Sequence, residues 1–270
     1  MLKFYFFFSI LFIGFLNCSN NQQPNDPIPV HETFIIDSKY VNEKRVINVW
    51  FPEEYKNSTD SLPVLYMLDG GIKEDFPHIA NTLSELIKAK KIKPFILVGI
   101  ENTQRRRDLT PPTSVAKDKE IAPVVGGSAA FRQFIQEELI QQINAKYRTT
   151  NRKGIIGESL AGLFVTETFL ITPDMFDFYI AMDPSLWWNN EHLVKTAKTN
   201  LAQFPASSKQ FWFAGSNAKD IAKHTKELAK ILTEANPTNL KWTYSNEPKE
   251  KHHTIYRATK EKALVWALGN

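Results

Sequence analysis

The sequence predicts a three-layer α/β/α fold around a mostly parallel, eight-stranded sheet. Short runs of apolar and β-favouring residues occur eight times, each ending near turn residues. From about Leu62 to Asn246 helical patterns fall between the later runs, which is the rhythm of strand, crossover helix and strand. The chain has 270 residues, 43% of them hydrophobic, enough for one sizeable core in a single domain.

The elements follow in order. HETFIID, from His31, and RVINVWFP, from Arg45, precede any clear crossover helix and are expected to form an antiparallel edge. LPVLYMLDG, KPFILVGI, RKGIIG, DFYIAMD, KQFWFAG and LKWTYSN supply the remaining strands, apolar enough to be covered on both faces. Helices are expected over IANTLSELIKAKK, AFRQFIQEELIQQINAKY, SLAGLFVTETFL, NEHLVKTAKTNLAQF, KHTKELAKILTEA and TKEKALVWAL. In the second of these, Phe131, Phe134, Ile135, Leu139 and Ile143 recur at spacings of three to four and mark one buried stripe.

The first thirty residues differ in composition. Lys3 precedes an apolar run from Phe4 to Leu16, short for a spanning helix and suited to an export signal over residues 1–17. A polar, Pro-containing tether follows over 18–30, leaving 31–270 as the folded domain. The sole cysteine, Cys18, closes the stretch FLNC, which resembles the lipid-attachment signal of exported bacterial lipoproteins, although Asn17 stands where Gly or Ala is usual. A membrane-anchored lipoprotein facing the periplasm or exterior is the expectation, with simple secretion or an uncleaved anchor as the alternatives. One cysteine allows no intrachain disulfide. The net charge of +4 is spread among interspersed acids and bases, so no nucleic-acid partner is indicated. The run Arg105, Arg106 and Arg107 is the exception, and Asp108 follows it directly.

The chemistry centres on GIIGESLAGLF. Ile155 and Ile156 read as the buried end of a strand, Gly157 and Ser159 occupy a tight corner, and Leu160, Leu163, Phe164 and Thr168 continue at helical spacing. A strand-to-helix corner with small neighbours is what a nucleophile elbow needs to lift its hydroxyl above the sheet. Ala161 replaces the last glycine of G-x-S-x-G, adding one methyl group, and Gly162 preserves close packing behind it. The competing reading makes Ser159 a helix N-cap.

A nucleophilic serine requires a base, and the base an orienting acid. Of six histidines, His31, His78, His192 and His224 fall on strand starts, helix starts or a charged helix, whereas His252 and His253 lie between the last strand and the last helix. One of this pair is the candidate base. Asp220, after the strand QFWFAG, gives the chain order Ser, Asp, His of an α/β-hydrolase; Glu247 and Glu250 are rivals, and a plain helix N-terminal acid is the alternative. Backbone donors for an oxyanion are sought at Leu160 and at Gly70 or Gly71, with Gly71 favoured and Asp69 read as a structural turn acid. Trp187 and Trp188 are candidates for a substrate wall or for loop packing. Arg105, Arg106 and Arg107 are candidates to attract an anionic substrate, or else solvated charge.

Together these blocks resemble the esterase D-like α/β-hydrolases, the family that includes enterobactin and other siderophore esterases. The resemblance spans roughly residues 32–268. It is carried by LPVLYMLDGG, GIENTQRRRDLTPP, the long block from GGSAAFRQF to GESLAGLF, FDFYIAMDPSLWWNN and EKHHTIY. In the family form of the last block the catalytic histidine is followed by a small residue and then Ser or Thr, which favours His252 over His253. The resemblance implies a serine carboxylic-ester hydrolase acting on a small-molecule ester through an acyl-enzyme, with Ser159, Asp220 and His252 as triad and Gly71 and Leu160 as oxyanion donors. It implies no cofactor and no metal. An acyltransferase or peptidase with the same triad, or a catalytically silent exported binding protein, are the other readings; the oligomeric state is not indicated.

Overall fold

Two antiparallel strands open the fold: β1 (Glu32–Ser38) pairs with β2 (Glu43–Trp50), and β2 pairs antiparallel with β4 (Ile96–Ile100). The structure is a computed structural model and describes residues 26–121 and 123–269. The expected export signal, Cys18 and most of the tether lie outside the described residues. β3 (Leu62–Met67), β5 (Thr149–Glu158), β6 (Phe178–Met182), β7 (Lys209–Gly215) and β8 (Leu240–Asn246) complete one sheet in the order β1-β2-β4-β3-β5-β6-β7-β8. Every pairing from β4 onward is parallel. The eight expected strands are all present, with the antiparallel edge where two strands without a crossover helix had to go.

Helices cover both faces. α1 (Phe76–Lys88) and α9 (Ile255–Leu268) pack on the face that carries Leu65, Met67 and Ile156. The opposite face takes the helical run from Ser128 to Lys146, α6 (Leu160–Ile171), α7 (Trp188–Leu201) and α8 (Lys219–Ala235). The Ser128–Lys146 run consists of α4 (Ser128–Gln133), a π-wound stretch Phe134–Leu139 and α5 (Ile140–Lys146), and buries the expected stripe. α6 is buried from Leu160 to Leu170, as its apolar composition on every side requires.

Two short helices, α2 (Arg105–Asp108) and α3 (Ala116–Ile121), lie in the segment between β4 and α4, where the sequence carries no apolar periodicity. Their anchors are buried carboxylates instead of apolar stripes. Asp108 accepts a 2.5 Å bond from Arg45 of β2 and a bond from Arg107 Nε. Asp118 accepts from Thr113 Oγ1 and from the Asn189 N–H at 2.9 Å. That second contact secures a turn in which Asn189, Asn190 and Glu191 all have left-handed backbone angles, so regular helix in α7 begins only after Glu191.

The sheet order reverses between β3 and β5: β4 lies to one side and β6 to the other. A crevice at the carboxyl ends of the strands is expected at such a switch. The segments that leave β3, β5, β6 and β7 there carry Asp69 to Gly71, Ser159, Asp183 and Ser216.

Arg45 and Asp108 are 1% and 3% exposed, so removing one strands the other charge. Glu43 remains on Arg45 at 2.7 Å. Asp108→Ala is therefore expected to cost about 3 kcal/mol, the lower end for a broken buried pair, measured by urea unfolding.

Candidate active site

The corner that ends β5 is strained. Ser159 has φ 62° and ψ −118°, outside the region open to most non-glycine residues. Its N–H donates to Met182 O at 3.0 Å, and its carbonyl accepts from Leu163 N–H and Ser185 N–H. These bonds tie the corner both to its own helix and to the end of β6. Small residues make the corner possible: a Cβ on Gly157 would lie 2.7 Å from the Ala161 Cβ, and one on Gly162 would lie 2.9 Å from Met182 O. Ala161 thus fits because position 157 has no side chain.

Ser159 sits at the N-terminus of α6 without capping it through its side chain. Its Oγ lies 3.0 Å from His252 Nε2 and 3.4 Å from Ser185 Oγ. His252, half-buried in the turn before α9, directs its other nitrogen to a carboxylate 2.7 Å away. That carboxylate is Asp183 Oδ2.

The acid expected at Asp220 is corrected here. Asp220 is exposed in the first turn of α8, the location its alternative reading described. Asp183 is 0% exposed and leaves β6, the immediate neighbour of the strand that ends at Ser159, whereas Asp220 follows β7, one strand further away. Ser216, just after β7, donates its N–H to Asp183 Oδ1 at 2.6 Å and its hydroxyl to Oδ2 at 2.8 Å. Asp183 itself has φ 46°. The order serine, aspartate, histidine is kept, and the signal for Asp183 was an acid at the end of a wholly apolar strand, FYIAM, followed by proline. The rival acids are engaged elsewhere: Glu247 with Ser245 and Lys262, Glu250 with Thr254. His253 is exposed.

The bond to Asp183 is the main influence raising the His252 pKa above the usual imidazole value, against the opposing effect of burial. Burial pushes the Glu158 carboxyl up to about 7, with His252 pulling it the other way.

The two oxyanion candidates differ. Leu160 N–H is the first of α6, one of the N-terminal amides without an acceptor inside the helix. Gly71 N–H donates to Glu74 Oε2 at 2.7 Å, so in this conformation its own turn occupies it; Gly70 N–H donates to Ile100 O. Burial raises the Glu74 pKa, partly offset by the bonds from Gly71 and Asn102.

The three arginines do not form a free cationic cluster, because each has found its own acceptor. Arg105 grips Asp69 with two bonds of 2.6 and 2.8 Å, and its Nη2 approaches Glu158 O at 3.4 Å. Arg106 donates to Ile121 O. Arg107 pairs with Asp108 and Glu43. Asp69 is accordingly a turn acid, with φ 53° and a further bond from Asn102. Trp188 is 2% exposed and donates its indole N–H to Pro111 O, a packing role; Trp187 is half-buried against the same core, its ring 5.8 Å from that of Trp188.

A cavity of about 220 Å³ reaches His252 and Glu158 from the α1 and α9 side. A larger one, about 730 Å³, lies between the β2 end and α1 and touches none of the triad atoms. Reactive geometry therefore marks the site better than cavity size.

A family model described as "Putative esterase" matches residues 38–266. The chain belongs to that esterase family. It is 31% identical over 275 residues to the ferri-bacillibactin esterase BesA of Bacillus subtilis, covering 89% of this chain and 90% of the relative. Among solved structures, an IroE-like serine hydrolase from Shewanella oneidensis superposes with a TM-score of 0.81 at 25% identity, covering 88% of this chain and 80% of that one. The siderophore hydrolase EstB of Aspergillus nidulans shares the fold with a TM-score of 0.75 at 21% identity, covering 90% and 95%. This esterase is thus an enzyme of the serine-hydrolase class on an α/β-hydrolase fold.

Asp183→Asn is expected to lower the His252 pKa, because it weakens the hydrogen bond that most favours the imidazolium. Asp220→Asn, which removes only a distant charge, should move it far less. NMR titration of the ring reads both.

Proposed function

We propose that this esterase hydrolyses siderophore esters through an acyl-enzyme on Ser159, with His252 as general base and Asp183 as the orienting acid. The observation that carries the reading is the unbroken chain from Ser159 Oγ to His252 Nε2 and from His252 Nδ1 to Asp183 Oδ2, at 3.0 and 2.7 Å. His252 takes the hydroxyl proton as Ser159 attacks the ester carbonyl. Asp183, its second oxygen engaged by Ser216, holds Nδ1–H and stabilises the imidazolium. The Leu160 N–H at the start of α6 supports the tetrahedral oxyanion, and Gly71 N–H joins it when Glu74 yields the bond. The imidazolium then protonates the departing alcohol. His252 next activates water, which releases the acid and restores Ser159.

Support for the substrate class comes from the relatives' names: BesA, a triacetylfusarinine C esterase of Aspergillus fumigatus and an apo-salmochelin esterase of Escherichia coli all act on siderophores. The test is hydrolysis of ferri-bacillibactin, enterobactin and triacetylfusarinine C beside simple acyl esters. Turnover of at least one siderophore is expected, and turnover of simple esters alone overturns the substrate assignment. Ser159→Ala should lose about 10⁴-fold or more in kcat. Asp183→Asn should lose about 10³-fold, whereas Asp220→Asn should stay within about twofold, as an exposed substitution does.

The pH profile follows from His252, which accepts the serine proton only when neutral. Its raised pKa places the rising limb of kcat/KM above the ordinary imidazole value of 6.5. We also propose export with lipid attachment at Cys18, supported by the composition of residues 1–30. Cys18→Ala should then move the protein from the membrane fraction to the soluble one.

A further inference from the structure

Glu158 stands immediately before the nucleophile. It is the last residue of β5, and strand alternation turns it to the same face as Ile156, which packs among the side chains of α1 and α9. There it lines the 220 Å³ cavity with Asp75, His78, His252, Tyr256 and Arg257. Glu158 Oε1 lies 3.7 Å from His252 Nδ1, the nitrogen already held by Asp183.

We propose that Glu158 is a positioning residue: a second carboxylate facing His252 Nδ1, whose charge stabilises the imidazolium formed during catalysis and whose protonation withdraws that support. The proposal rests on the reading of Ser159 and His252 as nucleophile and base.

The separation is too long for a hydrogen bond, so Glu158 acts through its charge. The corner at Ser159 fixes the backbone of Glu158, which starts the side chain on the His252 side of the strand end. Other groups face it from every side. Asp69 follows β3, Asp75 and His78 come from the start of α1, Arg105 from α2, His253 from the turn before α9, and Tyr256 and Arg257 from α9. Most of these groups are already engaged: Arg105 with Asp69, His78 with Asp75, and Arg257 with Asp26. Asp183 and the more distant Asp220 add to the field at His252.

Among the described residues, His252 is the imidazole within 4 Å of the Glu158 carboxylate, which faces it as a second, more distant acid behind the closer Asp183. Burial brings the Glu158 carboxyl to about 7, into the range where an imidazole titrates. The two protonations are then coupled, and the rising limb of activity belongs to the pair.

The test has an arm that needs no turnover. His252 is titrated by NMR in the wild type and in Glu158→Gln. The variant is expected to lower the ring's pKa by about one pH unit, the scale for losing a charge within 4–6 Å. An unchanged titration overturns the proposal. The second arm follows kcat/KM against pH with p-nitrophenyl acetate. Loss of the Glu158 charge should move the rising limb to lower pH and reduce the plateau severalfold, whereas a purely structural role would reduce the plateau and leave the limb in place. Glu158→Asp keeps the charge but draws it back, and an intermediate ring titration is expected. That variant keeps the test decisive if Glu158→Gln does not fold. A wild type that hydrolyses no ester defeats the catalytic reading, while the NMR arm still reports on Glu158.

Discussion

A serine held at φ 62° between a strand and a helix is the constraint around which this molecule is organised. Such a conformation costs about 1–3 kcal/mol and persists only where the surroundings over-determine it. Here they do so through the Ser159 N–H on Met182 O, the Ser159 carbonyl on two amides, and glycines that let α6 approach β5 and the β6 turn. In return the hydroxyl stands clear of the helix it begins. It is therefore available to His252, and the serine that a helix start would ordinarily use as a cap is left to chemistry.

The same logic extends outward through the sheet. The β5–β6 and β6–β7 pairings bring Ser159, Asp183 and Ser216 to the ends of adjacent strands, and β8 delivers the turn that returns His252 over them. A fully buried carboxylate is tolerable only when hydrogen-bonded, and Ser216 supplies two of the bonds that Asp183 needs. The third comes from His252, so the acid's burial and the histidine's orientation depend on one another.

Around this centre, charge is local instead of collective. The arginine run splits, with Arg105 securing the turn after β3, Arg107 joining Glu43 and Asp108, and Arg106 bonding a loop carbonyl. Arg45 and Asp108 hold α2 against the sheet, and Asp118 joins the α3 segment to the left-handed turn that opens α7. The long segment over the strand ends is thereby anchored by buried carboxylates. Its lack of hydrophobic periodicity is the reason its two short helices escape a reading based on apolar spacing.

What the sequence determined on its own is what local patterning controls. Eight strands, most helix positions, the corner at Ser159 and the lone turn carrying His252 were all legible, because each depends on residues within a few positions of one another. The tertiary structure decided the partners. Asp183 and Asp220 both follow strands and both satisfy the chain order, and only the sheet order distinguishes the acid beside β5 from the one a strand further on. Likewise Glu74 on Gly71, Asp69 on Arg105 and Glu158 beside His252 are meetings of side chains whose distances no spacing along the chain encodes. Charge pairing is settled by direction and burial, which exist only once the sheet has formed.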